Sequence, residues 1–196
     1  LRIPRAKTKH QMYGTAIHGA LKDFFEKIKT GTGDKQLLLE RFEHYAGKEN
    51  FSPDDLLAVL AKGRNTLEGY YDTYKSNWQG NVLTEFAISG IILSPEIHLT
   101  GAIDKIEVIN DKNEIVVVDY KTSKPKTRGE IEGTTRSWQG RGGDIKRQLV
   151  FYNLLLNKFK NGYYKMTAGE IDFIEPDYHG KYHKENFVIT NDEVTE

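Results

Sequence analysis

Residues 115–122 read Ile-Val-Val-Val-Asp-Tyr-Lys-Thr. Four successive β-branched apolar residues without polar alternation predict a strand covered on both faces, near the middle of a sheet. At its end the strand turns polar. Side chains alternate with a period of two, so Asp119 and Lys121 emerge on the face of Ile115 and Val117, where unpaired charges are costly. Taken alone, an Asp-x-Lys is most simply an ion pair at a strand end. The segments around it give it more weight.

Upstream, the pattern is strand-like over 82–88, 97–109 and 114–122, separated by Gly90, Ser94-Pro95 and Asn110-Asp-Lys-Asn113, which predicts an antiparallel meander. In the second strand Asp104 shares a face with Ile106 and Val108. Opposed residues of an antiparallel pair have a constant index sum. If Ile109 faces Glu114 the sum is 223, which sets Asp104 across from Asp119 with Cβ atoms roughly 5 Å apart. Two carboxylates so close repel unless one is protonated or a cation lies between them. Oxygen donors, and no cysteine anywhere in the chain, make that cation a hard one: Mg²⁺, Mn²⁺ or Ca²⁺.

The N-terminal part reads as helical. Residues 1–11 carry Arg2, Arg5, Lys7, Lys9 and His10 and form a basic lead-in or linker; a helix is expected from Met12, with Ile17, Leu21, Phe24, Phe25 and Ile28 at helical spacing and His18 beside that stripe. A short helix over 37–45 follows. Ser52-Pro53-Asp54-Asp55 opens a third, running towards Trp78, with Gly63 a weak point or a break. Beyond the Asp-x-Lys strand, 122–143 has no period. Lys124, Lys126, Arg128, Arg136 and Arg141 stand against Glu130 and Glu132 there, and Trp138 offers a stacking surface, so this segment is either a place for phosphate contacts or a solvated loop. A helix over 144–160 stacks Gln148 on Tyr152 one turn apart. Residues 166–174 and 187–190 read as strands completing the sheet, with His179, Tyr182 and His183 in a solvated loop between them.

Composition sets the bounds. The chain has 196 residues, 38% of them hydrophobic and 11% aromatic, which suffices for one domain with a full core. Its 28 basic and 28 acidic residues cancel, so a nucleic acid would have to be held by a local groove and not by a generally basic surface. The absence of cysteine excludes disulfides, thiolate zinc sites and a Cys-ligated iron–sulfur cluster. No apolar run approaches membrane-span length and no signal-peptide pattern is read, so a cytoplasmic location is expected. A chain that starts at Leu1 is expected to be a piece of a longer one.

In order, the pieces are Gly14-Thr-Ala-Ile-His18 opening a helix, Glu85 in a strand, Gly101-Ala-Ile-Asp104, Asp119-Tyr-Lys121-Thr, and Gln148-x-x-x-Tyr152. The series resembles the PD-(D/E)XK nuclease superfamily over about 12–159, specifically its RecB-like branch, the domains attached to UvrD-type helicases and found in AddAB-type enzymes. Many relatives carry cysteines around this core for an iron–sulfur cluster; this chain has none, and no cluster is expected. The resemblance implies a restriction-endonuclease-like α/β (α+β) fold, with a central mixed sheet containing an antiparallel meander and flanked by helices. A helical part, 12–80, would be joined to a catalytic sheet and helix, 81–196, in a single domain. It implies Mg²⁺- or Mn²⁺-dependent hydrolysis of DNA phosphodiesters by the exonuclease domain of a helicase-nuclease in repair and recombination. The DNA would be single-stranded or an unwound end, and a helicase module would lie in the same polypeptide or complex. His18, Asp104, Asp119 and the Tyr120 carbonyl would hold the metal, with Glu85 as a second-metal or outer residue. Lys121 would orient the attacking water and offset charge in the transition state, and Gln148 and Tyr152 would position the strand or the lysine. A structure-selective endonuclease fits the same motif. The competing class is a non-catalytic DNA-binding scaffold.

Overall fold

A computed structural model of the chain describes residues 6–135, 143–190 and 193. Three helices come first: α1 (Lys9–Ile28), α2 (Lys35–Lys48) and α3 (Pro53–Tyr74). They are followed by β1 (Val82–Ser94), β2 (Ile97–Val108), β3 (Glu114–Lys121), a short α4 (Arg128–Glu132), α5 (Asp144–Lys158), β4 (Lys165–Phe173) and β5 (His183–Phe187). The strands form one mixed sheet in the order β1-β2-β3-β4-β5, antiparallel throughout except for the parallel pair β3/β4. A parallel pair needs a crossover, and α5 supplies it across one face of the sheet.

The uninterrupted apolar run of β3 is explained by its position. Ile115 and Val117 enter the core that α5 closes with Leu149, Leu155 and Leu156, whereas Val118 and Tyr120 enter the core built by Ile17, Leu21, Phe24, Phe42 and Tyr70 of α1, α2 and α3. The expected β2/β3 register also holds. Ile109 N–H donates to the Glu114 carbonyl at 2.8 Å, and Lys105 stands opposite Val118.

Several boundaries differ from the sequence expectation. α1 begins at Lys9, because Thr8 caps it through Gln11 N–H while the Gln11 side chain returns to Thr8 N–H. α3 passes through Gly63 unbroken, since that glycine lies against the buried Phe42 ring. Segment 122–143 is not wholly irregular: Thr127 and Glu130 form a capping box that opens α4. The last strand is β5, His183–Phe187, and not 187–190. His183 and Tyr182 are accordingly not loose. The His183 Nε2 pairs with Asp177 at 2.7 Å, and the Tyr182 hydroxyl donates to the Thr66 carbonyl at 2.7 Å. α5 ends at Lys158 in a 3-10 turn that Gly162 closes at φ 72°.

Candidate metal and catalytic site

The site forms where two strand ladders are interrupted side by side. Thr84 pairs with Lys105 and Phe86 with Ile103, which sets Glu85 abreast of Asp104; Glu85 itself has φ 46°, a left-handed kink that takes it out of the ladder. On the other side the β2/β3 ladder stops at Lys105–Val118. The next donor, Tyr120 N–H, is taken by the Asp104 carboxylate at 2.9 Å. Glu85, Asp104 and Asp119 therefore stand in a row across three adjacent strands, at the level where the sheet opens. Side chains from the layers on both faces can reach that opening.

From the three-helix layer comes His18. Its Nδ1 lies 3.2 Å from Asp104 Oδ1, and its ring meets that of Tyr120 edge-on at 5.8 Å. The donor atoms of His18, Glu85 and Asp104 all lie within 4.8 Å of one another. One imidazole and two carboxylates so arranged suit a divalent cation of the hard or borderline kind. Their electrostatics agree with that fit. Burial works against a charged His18, but the hydrogen bond and charge of Asp104 outweigh it and hold the imidazole above 6.5. Burial and then the Asp104 charge push the Glu85 carboxyl up. The charge of Asp104 contributes to both shifts.

From the α5 layer comes a closed ring of four side chains. Lys121 Nζ lies 2.5 Å from Asp119 Oδ2 and donates to Gln148 Oε1 at 2.7 Å. Gln148 Nε2 donates to the Tyr152 hydroxyl at 2.7 Å, which donates to Asp119 Oδ1 at 3.2 Å. The i, i+4 spacing of Gln148 and Tyr152 puts both within reach of the two residues that β3 presents on the same face. Burial pushes the Asp119 carboxyl up; Lys121 draws it back and the Asp104 charge adds to the rise. Asp119 is thus coupled to Asp104 electrostatically, while its own oxygens face Lys121 and Tyr152. The Tyr120 carbonyl leaves β3 on the same edge as Tyr120 N–H, towards the opening occupied by Asp104.

Of the sequence-predicted residues, His18, Glu85, Asp104, Asp119, Tyr120, Lys121, Gln148 and Tyr152 come together in this one place. Glu85, expected as a second-metal or outer residue, is in the tight donor cluster with His18 and Asp104, and Asp119, expected among the metal ligands, has its oxygens towards Lys121 and Tyr152. The basic segment is less concentrated. Lys124 Nζ donates to the carbonyls of Pro176 and Asp177 at 2.9 and 3.4 Å. Arg128 is held by Glu132, Glu185 and the Asn186 carbonyl, its guanidinium 4.3 Å from the Phe187 ring centroid. Lys126 lies between these two; Arg136, Trp138 and Arg141 lie outside the described residues.

Two clefts meet at His18. One, of about 730 Å³, is lined by Lys22, Tyr45, Glu85 and Asp104; the other, of about 830 Å³, by Lys62, Lys121, Lys124 and Glu175; His10 lines both. Sequence reading missed His10, Lys22 and Lys62 as cleft residues. His10 and Lys22 were within reach of it, eight before and four after His18 on one helix face. Lys62 was not, because only the packing of α3 brings it there.

The chain matches the family model of the PD-(D/E)XK nuclease superfamily over residues 1–187. No match is found among curated proteins. Among solved structures, that of SSO0001 superposes with a TM-score of 0.38 at 17% identity, over 93% of this chain and 69% of that one, a likeness too slight to carry inference. No helix among the described residues is long and apolar enough to cross a membrane.

Proposed function

The chain belongs to the PD-(D/E)XK nuclease superfamily, and from that premise we propose that it is a Mg²⁺- or Mn²⁺-dependent deoxyribonuclease of the RecB-like kind, working as the exonuclease module of a helicase-nuclease in DNA repair and recombination. The observation that carries this reading is the pairing of two half-sites on one strand row: His18, Glu85 and Asp104 as metal donors, and a lysine held in place beside them. His18, Asp104 and Glu85 would hold the divalent cation, with Asp119 and the Tyr120 carbonyl as further candidate ligands, and the ion would supply Lewis-acid polarisation of the phosphoryl oxygen and acidify a water.

The chain's own residues do the rest. Asp119 and Gln148 fix the Lys121 ammonium from two sides, so its charge already points at the phosphate and orients the attacking water without reorganising. Tyr152 holds Gln148 and Asp119 in register with each other. Asp104 binds Tyr120 N–H and His18 at once, coupling strand to helix.

Calorimetric titration with Mn²⁺ alongside a cleavage assay tests these roles. Asp104→Ala is expected to lose both metal binding and cleavage. Lys121→Ala is expected to bind Mn²⁺ normally and cleave about 10²- to 10³-fold more slowly, the usual loss for a preorganised charge stabiliser. Unchanged Mn²⁺ heats in Asp104→Ala would remove the metal site; normal cleavage by Lys121→Ala would reduce the lysine to a structural role. A non-catalytic scaffold has no need of a lysine held from two sides, which argues against that reading.

The helicase-linked exonuclease reading rests on the zero net charge, which leaves only local cations to neutralise phosphate. Affinity for DNA is then weak and falls steeply with salt, and a tethered motor compensates by raising the local DNA concentration. End-labelled single strands are expected to be shortened at low salt while closed circles survive. Rapid cutting of circular duplex at physiological salt would instead mark a self-sufficient, structure-selective endonuclease.

A further inference from the structure

Tyr178 is the most exposed of the large hydrophobic side chains described, with 89% of its surface in solvent, yet the turn that carries it is tightly fastened. Asp177 Oδ1 accepts from His179 N–H at 2.8 Å and Lys181 N–H at 3.0 Å, and its Oδ2 pairs with His183 Nε2 at 2.7 Å. Asp177 N–H donates to the Lys181 carbonyl at 2.8 Å, and Gly180 supplies the φ of 81° that closes the turn. A solitary exposed tyrosine is unremarkable. One held on a turn this constrained presents a flat apolar ring to water at little further entropic cost on binding.

The ring's position gives it a use. Lys124 lines the cleft onto which Lys121 opens, and its ammonium stands 4.9 Å from the Tyr178 ring centroid. The same ammonium holds the turn through the Pro176 and Asp177 carbonyls. Tyr178 thus sits one side chain beyond the cleft that reaches the catalytic lysine, with a cation at its ring and the rest of the ring open. A strand whose phosphate lies at Lys121 and whose backbone follows the cleft past Lys62 and Lys124 brings an unpaired base to that ring.

Resting on the nuclease reading above, we infer that Tyr178 is a stacking platform for one nucleobase of single-stranded DNA, and that it biases the enzyme towards unpaired strands. Stacking on an aromatic ring accepts any base, so the subsite selects single-strandedness and not sequence. A duplex keeps its bases in the helical stack and cannot use it.

The test is anisotropy titration of fluorescein-labelled oligo(dT) and of a blunt duplex in EDTA, where a metal-dependent site leaves the strands intact, paired with Mn²⁺-dependent cleavage of the same strands. Tyr178→Ala is expected to bind oligo(dT) roughly 5- to 100-fold more weakly, to bind duplex as before and to melt where the wild type melts. Tyr178→Phe is expected to behave as the wild type. A single abasic position moved along the strand should weaken wild-type binding at one place and leave Tyr178→Ala indifferent. Equal oligo(dT) affinity of wild type and Tyr178→Ala, in a wild type that binds and cleaves the strand, overturns the subsite and leaves the nuclease reading intact. An equal loss on strand and duplex overturns it as well, because a backbone contact and not a base would then be involved. A wild type that neither binds nor cleaves any DNA overturns both.

Discussion

Asp119 is pulled two ways. Its role beside Lys121 needs the ionised form, yet burial raises its carboxyl, and of its neighbours Lys121 and Tyr152 favour ionisation while Asp104 opposes it. The net direction is upward. An acid raised in the fold contributes stability that is present below its unfolded value of about 3.9 and lost as pH rises through the folded value. Ionised Asp119 therefore costs folding free energy at neutral pH even with Lys121 beside it. Catalysis that needs the ionised form is lost on acidification at a higher pH than an unperturbed aspartate would impose. Tyr152→Phe removes one of the groups that favour ionisation, so the acid limb of the pH–rate profile for Mn²⁺-dependent cleavage should move to higher pH. An acid limb that stays put would mean that the Tyr152 hydroxyl does not bear on Asp119.

Among the elements, α2 and α3 carry the layer that delivers α1, and with it His18, to the sheet. They pack tightly at Gly63, where a Cβ would overlap the fully buried Phe42 ring. Alanine in place of a mid-helix glycine normally adds about 1 kcal/mol of stability. Forcing extra volume into a packed contact costs about 1–3 kcal/mol. The second effect wins here, because Phe42 is enclosed and cannot swing away. Gly63→Ala should thus lower the urea midpoint by a net loss of up to about 2 kcal/mol. A stabilised variant would show that the two helices separate at little cost. The same reasoning explains why the glycine did not break α3: it marks a close approach.

Over the whole molecule, the candidate metal site gathers carboxylates that folding must tolerate close together. Glu85 is raised by burial and by Asp104, so in the metal-free protein its ionised form is unfavourable. A cation that binds only the folded state stabilises it by about 2.7 kcal/mol at a hundredfold excess over Kd. For a domain of this size that corresponds to roughly 5–10 °C in Tm. Glu85→Gln should melt higher than the wild type without metal and gain less from Mn²⁺. A wild type whose melting is indifferent to Mn²⁺ would count against the site as a whole.

The sequence by itself determined the central strand and the meander, and it restricted the β2/β3 register to a few alternatives, of which the one with a four-residue loop is observed. β3 announced itself because burial on both faces forbids polar alternation, and a four-residue loop between Ile109 and Glu114, once assumed, gives the index sum of 223 that the Lys105–Val118 pair shows. These are local or pairwise constraints, and a linear pattern records them. Only the tertiary structure decided how the acids divide their work. Glu85 joins His18 and Asp104 because a left-handed residue turns it out of its ladder, and no composition signal marks that kink. Asp119 leaves the metal cluster for Lys121 because α5 brings Gln148 and Tyr152 to it from across the parallel crossover. Lys62, Glu175 and Tyr178 reach the cleft region from segments far apart in sequence. Which side chains share that space follows from how helices lie on a sheet, a property of three-dimensional packing that spacing along one chain does not carry.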